Sequence, residues 1–416
     1  MTKKIAYSNG MRVVVENIPF LRSVCVGIWV RTGSAMENDE NNGISHFVEH
    51  VMFKGTTEMS ALEIANAFES KGAIINAFTS KENTCYFYKC VDNDNEFCFS
   101  KLSEILKDSV FDAKELDSER KVIEEEINMV DDAPEDICYD VLASALYGNH
   151  PYAKTILGPK ENVRKFVKCD VVEYMKQQYT ADSIVVAFAG NVTMEQADVL
   201  VRRYLCGFED RHQKSLIGEV EYKPTIKTFI KDFKQANLML AYPSISISDE
   251  GNEIQSLLSV ITGGCMGSRL FQQIREKKGL AYSVYSSPAR RVNCGSFNVA
   301  LNINSVNTVG ALTATLDEIG KIAESGIADD ELMAAKAQLR ASIVFGQENV
   351  QSIMLSLGKN LSLADSVFDI DQTVEKINSV TKAQINDFAR KLFAKKPALA
   401  YVGSECGANF DKILRR

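Results

Sequence analysis

The sequence has no apolar run long enough to cross a membrane, which takes about 20 residues, and no excess of positive charge. Lys and Arg number 47 against 55 Asp and Glu, for a net charge of −8. That balance excludes nucleic acid as a main partner, because phosphate binding needs a basic face. Neither a G-x-x-x-x-G-K-[ST] nor a G-x-G-x-x-G loop is present, so a phosphate-cradling turn of either kind is excluded. None of the ten cysteines forms a C-x-x-C pair, which removes a zinc ribbon and a dithiol redox motif. The cysteines read as buried or free thiols of a reducing compartment. No apolar stretch of signal length follows Met1-Thr2-Lys3-Lys4, and a cytoplasmic location is expected. Histidine is scarce as well: four in 416 residues, and none after His212. Two of the four stand only four residues apart.

The order of elements points to a duplication. Residues 4–16 read as two short strands around an Asn9-Gly10 turn, a strong hairpin signal. A strand over 23–32, a helix over 44–53, a β-rich hairpin over 72–90, a helix over 95–109 and a long charged helix from Ala113 past Met129 follow. A strand over 183–189 and a helix over 194–205 close the first half. The second half repeats the order: a strand over 236–242 ending at Pro243, a helix over 253–262 meeting Gly263-Gly264, and a hairpin of 281–287 with 295–303. Helices over 309–325 and 330–345 and a strand over 398–402 complete it. Setting Leu116 on Leu332 aligns two long helices that both open on acidic residues, as the helix dipole favours. The chain is therefore expected to be α+β, with two similar domains at 1–215 and 216–416, each a mixed or antiparallel sheet covered by helices.

The chemistry concentrates in His46-Phe47-Val48-Glu49-His50. On a helix, positions i and i+4 share a face, so His46 and His50 can hold one ion. Glu49 lies near that face and can take a proton from water without being a ligand. This H-x-x-E-H order is the inverse of the commoner zinc-peptidase motif. A catalytic zinc needs three protein ligands and one open position. The richest source of a third is Glu119–Met129, where Glu119 and Glu126 are two helical turns apart and share a face. Glu124 and Glu125 point elsewhere, toward solvent or cations. Taken alone, such an acidic run is more often a solvated helix surface.

These motifs resemble the family of pitrilysin, insulin-degrading enzyme and mitochondrial processing peptidase. That family carries H-x-x-E-H and then a ligand Glu some 76 positions on; Glu126 lies 76 residues beyond His50. The resemblance implies zinc held by His46, His50 and Glu126, Glu49 as general base, and Glu119 as an outer residue that orients a ligand or holds a proton. It makes Asn76-Ala77-Phe78-Thr79 the strand that binds the substrate backbone; Glu82 and Thr84 also follow the family pattern. In the second half it assigns Arg275 and Tyr282, seven apart, to contacts beside the scissile bond. Without the resemblance, these two read as a surface charge and a strand aromatic.

Aligned on Leu116 and Leu332, Glu126 falls on Ser342 and Glu119 on Ala335, so the second half cannot repeat the zinc site. In the long single-chain relatives four such domains close around a chamber. By analogy this chain is expected to act as a homodimer on peptide substrates, its active site shared between chains. The runner-up is a non-catalytic core or partner subunit of a processing-peptidase-like complex, although such subunits usually lack one of the motifs kept here. A non-catalytic metal-binding module fits Glu49 poorly.

Overall fold

The structure is a computed structural model and describes residues 2–209 and 217–415. The expected domain boundary at 215/216 lies outside the described residues. In chain order the elements are β1 (Thr2–Ala6), β2 (Arg12–Asn17), β3 (Ser23–Val30), α1 (Ile44–Val51), α2 (Ala61–Glu69), β4 (Ile74–Thr79), β5 (Thr84–Val91), α3 (Asn95–Asp108), α4 (Ala113–Asp131) and α5 (Pro134–Tyr147). They continue with α6 (Lys160–Val163), α7 (Lys168–Gln178), β6 (Ile184–Gly190), α8 (Met194–Tyr204), β7 (Ile226–Ile230), β8 (Ala236–Ser244), α9 (Asn252–Ser259), β9 (Ala281–Arg290) and β10 (Gly295–Ile303). The chain closes with α10 (Thr308–Ser325), α11 (Asp329–Gly346), α12 (Val350–Ala364), α13 (Ile370–Ser379), α14 (Lys382–Phe393), β11 (Ala398–Gly403) and α15 (Phe410–Leu414).

Two compact units emerge. The first comprises Met1–Ile127, Thr155–Ile217 and Phe345–Asp369; the second comprises Asn128–Lys154, Gly218–Val344 and Ile370–Arg416. The first unit holds a six-stranded sheet in the order β1-β2-β6-β3-β5-β4, antiparallel except where β2 runs parallel to β6. Strand β3 reads Ser-Val-Cys-Val-Gly-Ile-Trp-Val and is apolar on both sides, so both of its faces must be covered. On one face Val24, Val26, Ile28 and Val30 pack with Phe47, Val48 and Val51 of α1 and Phe99 and Leu102 of α3. On the other, Cys25, Trp29, Cys85 and Phe87 meet Ile353, Met354, Leu357 and Leu361 of α12. Glycine is needed at 358, because a Cβ there would stand 1.9 Å from the Trp29 indole nitrogen.

The second unit holds a five-stranded sheet in the order β7-β11-β8-β10-β9, with β7 parallel to β11. The order and the single parallel pair match β2-β6-β3-β5-β4, so the fold is α+β with two similar domains. Its core gathers Leu238, Leu240, Phe297, Val299 and Tyr401 with Leu312, Ile319, Ile385 and Leu392. Helix α5 lies over the other face, where the Cys138 thiol reaches the Asn237 carbonyl at 3.5 Å.

Two details depart from the sequence reading. Strand β8 runs through Pro243 to Ser244. The helix expected over 253–262 is α-helical only to Ser259 and widens into a π-turn over Val260–Gly264. A Cβ at Gly263 would meet the Ser286 amide at 2.7 Å, so this close approach to β9 requires glycine. All ten cysteines are free. No helix among the described residues is long and apolar enough to cross a membrane.

Candidate metal centre

Helix α1 is short and begins on Gly43, whose φ of 102° lies in the left-handed region. Its first turn has no side-chain cap of its own, and a buried carboxylate from an earlier loop supplies one. Glu37 is 4% exposed. Its Oε2 accepts from the Gly43 amide and the Asn42 side chain, both at 2.8 Å. Its Oε1 accepts from the Ser45 amide at 2.8 Å and the Ser45 hydroxyl at 2.6 Å. An anion at a helix N-terminus is favourable, and here it satisfies amides that the helix leaves open. Ser45 is braced further by the Tyr174 hydroxyl at 2.6 Å. The helix that carries His46, Glu49 and His50 is thereby clamped at its start.

Among the described residues, His46, His50 and Glu126 form a group whose ligand atoms all lie within 4.8 Å of one another. Glu126 Oε2 stands 3.6 Å from His46 Nε2 and 3.5 Å from His50 Nε2. Tetrahedral zinc with bonds of roughly 2.1 Å would set its ligand atoms about 3.4 Å apart, so the spacing of Glu126 from each histidine already suits zinc. The histidine side chains are 9% and 22% exposed and the Glu126 side chain 40%, which leaves the group open on the Glu126 side. His46 Nδ1 is buried without a hydrogen-bond partner.

The charges around the group are uneven. Burial, helped by the charge of His50, pushes the His46 imidazole down to about 4, against a weaker opposing pull from Glu126. Burial also opposes charge on His50, but Glu119 and Glu126 at its two ring nitrogens outweigh it and push it up to about 9. His50 Nδ1 reaches Glu119 Oε2 at 3.1 Å, and the other oxygen of Glu119 accepts from Lys54 Nζ at 2.7 Å. Burial would raise the Glu119 carboxyl, yet His50 and Lys54 together hold it below the usual range. The bond from His50 holds Glu126 low as well. Glu124, two residues away on α4, instead meets Arg164 through both oxygens at 3.0 Å. Position on the helix therefore separates Glu119 and Glu126 from Glu124, as the spacing predicts.

Glu49 is raised above the ordinary carboxyl range by burial, offset in part by a hydrogen bond donated by Thr79 Oγ1 at 2.5 Å. Thr79 closes β4, which forms one edge of the first unit's sheet. On that strand Asn76 is exposed and Ala77 and Phe78 are half-buried. Phe78 packs edge-on against Trp29, with ring centroids 5.5 Å apart. In the second unit Arg275 lies in a π-helical stretch over Phe271–Lys277, its guanidinium 4.8 Å from the Phe271 ring centroid. Tyr282, the second residue of β9, is 73% exposed. The sequence reading missed the contributions of Glu37 and Lys54. Only an acidic residue shortly before an uncapped helix hints at Glu37. Nothing in the local pattern marks Lys54, because its partner lies 65 residues later.

Comparison with known proteins identifies the family of the chain. The profile of the family described as "Insulinase (Peptidase family M16)" matches residues 12–160, and that of "Peptidase M16 inactive domain" matches residues 165–339. An uncharacterized zinc protease of Bacillus subtilis, YmxG, is 37% identical, covering 97% of this chain and 98% of its own. An uncharacterized zinc protease of Streptomyces coelicolor is 32% identical over 96% of this chain and 89% of its own. Among solved structures, a peptidase M16 inactive domain from Pseudomonas fluorescens superposes with a TM-score of 0.91 at 20% identity, covering 97% of this chain and 98% of its own. A protease from Helicobacter pylori gives 0.88 at 19% identity, covering 97% and 99%. At such identities these two speak for the fold alone.

Proposed function

Because the chain belongs to the insulinase family, peptidase family M16, we propose that it is a zinc-dependent endopeptidase acting on small or unfolded peptides. The observation that carries this reading is the placement of three side chains of one short helix. His46 and His50 converge with Glu126 on one point, while Glu49 between them is held apart by Thr79. Zinc bound there would polarise the scissile carbonyl and bring the pKa of water toward about 7.

Glu49 takes the proton of the attacking water and delivers it to the leaving amine. Its burial fits that exchange, since a carboxyl raised above the ordinary range holds a proton more readily. Glu119 fixes the His50 ring by accepting from Nδ1, so that Nε2 faces the ligand position. The exposed edge of β4 at Asn76, Ala77 and Phe78 receives the peptide as an added strand, through main-chain hydrogen bonds that read little of its side chains. Arg275 and Tyr282 steady the oxyanion or the neighbouring carbonyl. In this reading they act in a homodimer in which the pair of one chain completes the site of the other. A chamber closed by two chains, in the cytoplasm, would keep folded proteins away from so unselective a site.

The test is cleavage of a quenched fluorescent peptide library by the purified chain. Cleavage that stops with a chelator and returns with zinc is expected. A zinc-loaded chain that cleaves nothing would favour a non-catalytic partner subunit.

A further inference from the structure

We propose that Thr79 is a positioning residue for Glu49: its hydroxyl ties the general base to the end of the edge strand on which the peptide lies. The inference rests on the peptidase reading above and adds a residue to it.

Alternation along β4 decides which side Thr79 faces. Ile75 and Ala77 pack into the core that contains Phe47, Val48 and Val51 of α1. Phe78 turns to the opposite face with Trp29 and Phe87. Side chains two apart share a face, so Thr79 emerges on the α1 side, where Glu49 is. The Oγ1 to Oε2 distance is 2.5 Å, and this is the one hydrogen bond of the Glu49 side chain among the described residues. A strand slipped by one residue would send the hydroxyl to the other face. The backbone on either side of Thr79 is also fixed. Thr79 pairs with Thr84 in register. The next residue, Ser80, donates to the Asn83 carbonyl from its amide at 2.7 Å and from its hydroxyl at 2.9 Å.

The chemistry follows from counting donors. A threonine hydroxyl has one proton to give, and a carboxylate has two oxygens. With Oε2 engaged by Thr79, Oε1 is left to face the water whose proton is to be taken. A β-branched side chain has a stiff χ1, so the hydroxyl holds Oε2 in place and restricts rotation of the carboxylate. Serine can make the same bond with a looser side chain, and valine has the same shape without the bond. The single hydroxyl proton of Thr79 is given to Glu49 and not to the peptide. The hydroxyl therefore acts on turnover and leaves peptide affinity alone.

The test compares Thr79→Val and Thr79→Ser as zinc-loaded full-length protein. For Thr79→Val we expect kcat to fall by about tenfold to a hundredfold, the scale of a misplaced catalytic group, with KM and zinc affinity unchanged. Thr79→Ser should restore kcat to within a few-fold of the parent. Peptide affinity, read by fluorescence anisotropy in the non-cleaving Glu49→Gln chain, should not change when Thr79→Val is added. If Thr79→Val does not fold, Thr79→Ala supplies the same contrast with Ser. An unchanged kcat, a Ser variant as poor as Val, or a loss confined to KM or peptide affinity would overturn the proposal while leaving the peptidase reading intact. A parent chain that cleaves no peptide would overturn that reading, and this proposal with it.

Discussion

Helices α1 and α9 are the same element built twice and put to different use. Each begins on a glycine in the left-handed region, Gly43 at φ 102° and Gly251 at φ 96°. Each contributes apolar side chains to one face of its sheet. Setting the two glycines level places His46 on Ile254, Glu49 on Leu257 and His50 on Leu258. In the second unit Leu257 and Leu258 are fully buried, and burial of a leucine is worth about 2 kcal/mol. In the first unit the same positions carry two imidazoles and a carboxylate, half-surrounded by Glu119, Glu126 and Lys54. The duplication thus separates two demands on one scaffold. One copy is packed for stability. The other holds titratable groups that gain a common partner only when a cation arrives. Those groups need outside support, and the Glu37 clamp supplies it.

The comparison is sharpened most by mutating aligned positions. Glu49→Gln should keep zinc, measured by metal analysis of the purified chain, and lower peptide cleavage by about 10² or more, the scale of a lost general base. Leu257→Ala at the aligned position should do the reverse. Thermal or denaturant unfolding should show a loss of about 2–5 kcal/mol, while the folded fraction still cleaves. If Glu49→Gln turns over normally, the carboxylate between the histidines has no part in the reaction.

Helix α4 and its counterpart α11 give the next contrast. Glu126→Gln should weaken zinc by at least about 10-fold, read by competition with a chromophoric chelator, because one of three donors loses its charge. Glu124→Gln and Glu125→Gln should leave zinc affinity unchanged, as should Ser342→Ala on α11. A metal-sensitive Glu124 would contradict its pairing with Arg164 and the ligand assignment with it.

The division of labour between units makes a third prediction, in which the homodimer proposal is at stake. Glu49→Gln chains and Tyr282→Phe chains should each cleave poorly. Mixed in equal amounts and allowed to exchange, they should recover up to about a quarter of parental activity, because half of the dimers are mixed and each holds one intact site. Demonstrated exchange with no recovered cleavage would mean that the site is not shared or that Tyr282 is idle.

Much of the first unit could be read from sequence because its signals are local. The Asn9-Gly10 turn, the four-residue step from His46 to His50 and the seven-residue step from Glu119 to Glu126 each reflect one element's own geometry, and each reappears in place. What could not be read depends on distant partners. Helix α12 stands in the second half of the sequence but covers the outer face of the first unit's sheet. Only the indole of Trp29 explains why Gly358 interrupts it. Helix α5 passes to the second unit in the same way. The Lys54–Glu119 pair and the Thr79–Glu49 bond join residues 65 and 30 positions apart, beyond the reach of any periodicity.

The smallest effect expected is a count of protons, and it probes why the two histidines differ. Zinc binds neutral imidazole. His46, pushed down to about 4, is already neutral at pH 6 and has no proton to release. His50, pushed up to about 9, is protonated there and must lose one. Zinc binding at pH 6, below the roughly 7 at which zinc-bound water ionises, should therefore release about one proton, read by calorimetry in buffers of different ionisation enthalpy. Affinity should rise about tenfold per pH unit until pH approaches 7, where ionisation of the bound water steepens the rise. The same shift acts on the metal-free chain. A histidine raised above its ordinary 6.5 contributes stability that is fully present below that pH and is lost as pH rises through about 9, so the metal-free melting temperature should fall across that window. Release of two protons would mean that His46 is as exposed to charge as His50. Release of none would mean that Glu119 and Glu126 do not hold the His50 proton. Glu119→Gln discriminates further: removing one of the two carboxylates should lower the His50 pKa and reduce the proton release at pH 8 relative to the parent chain, with Glu126 still in place to bind the metal.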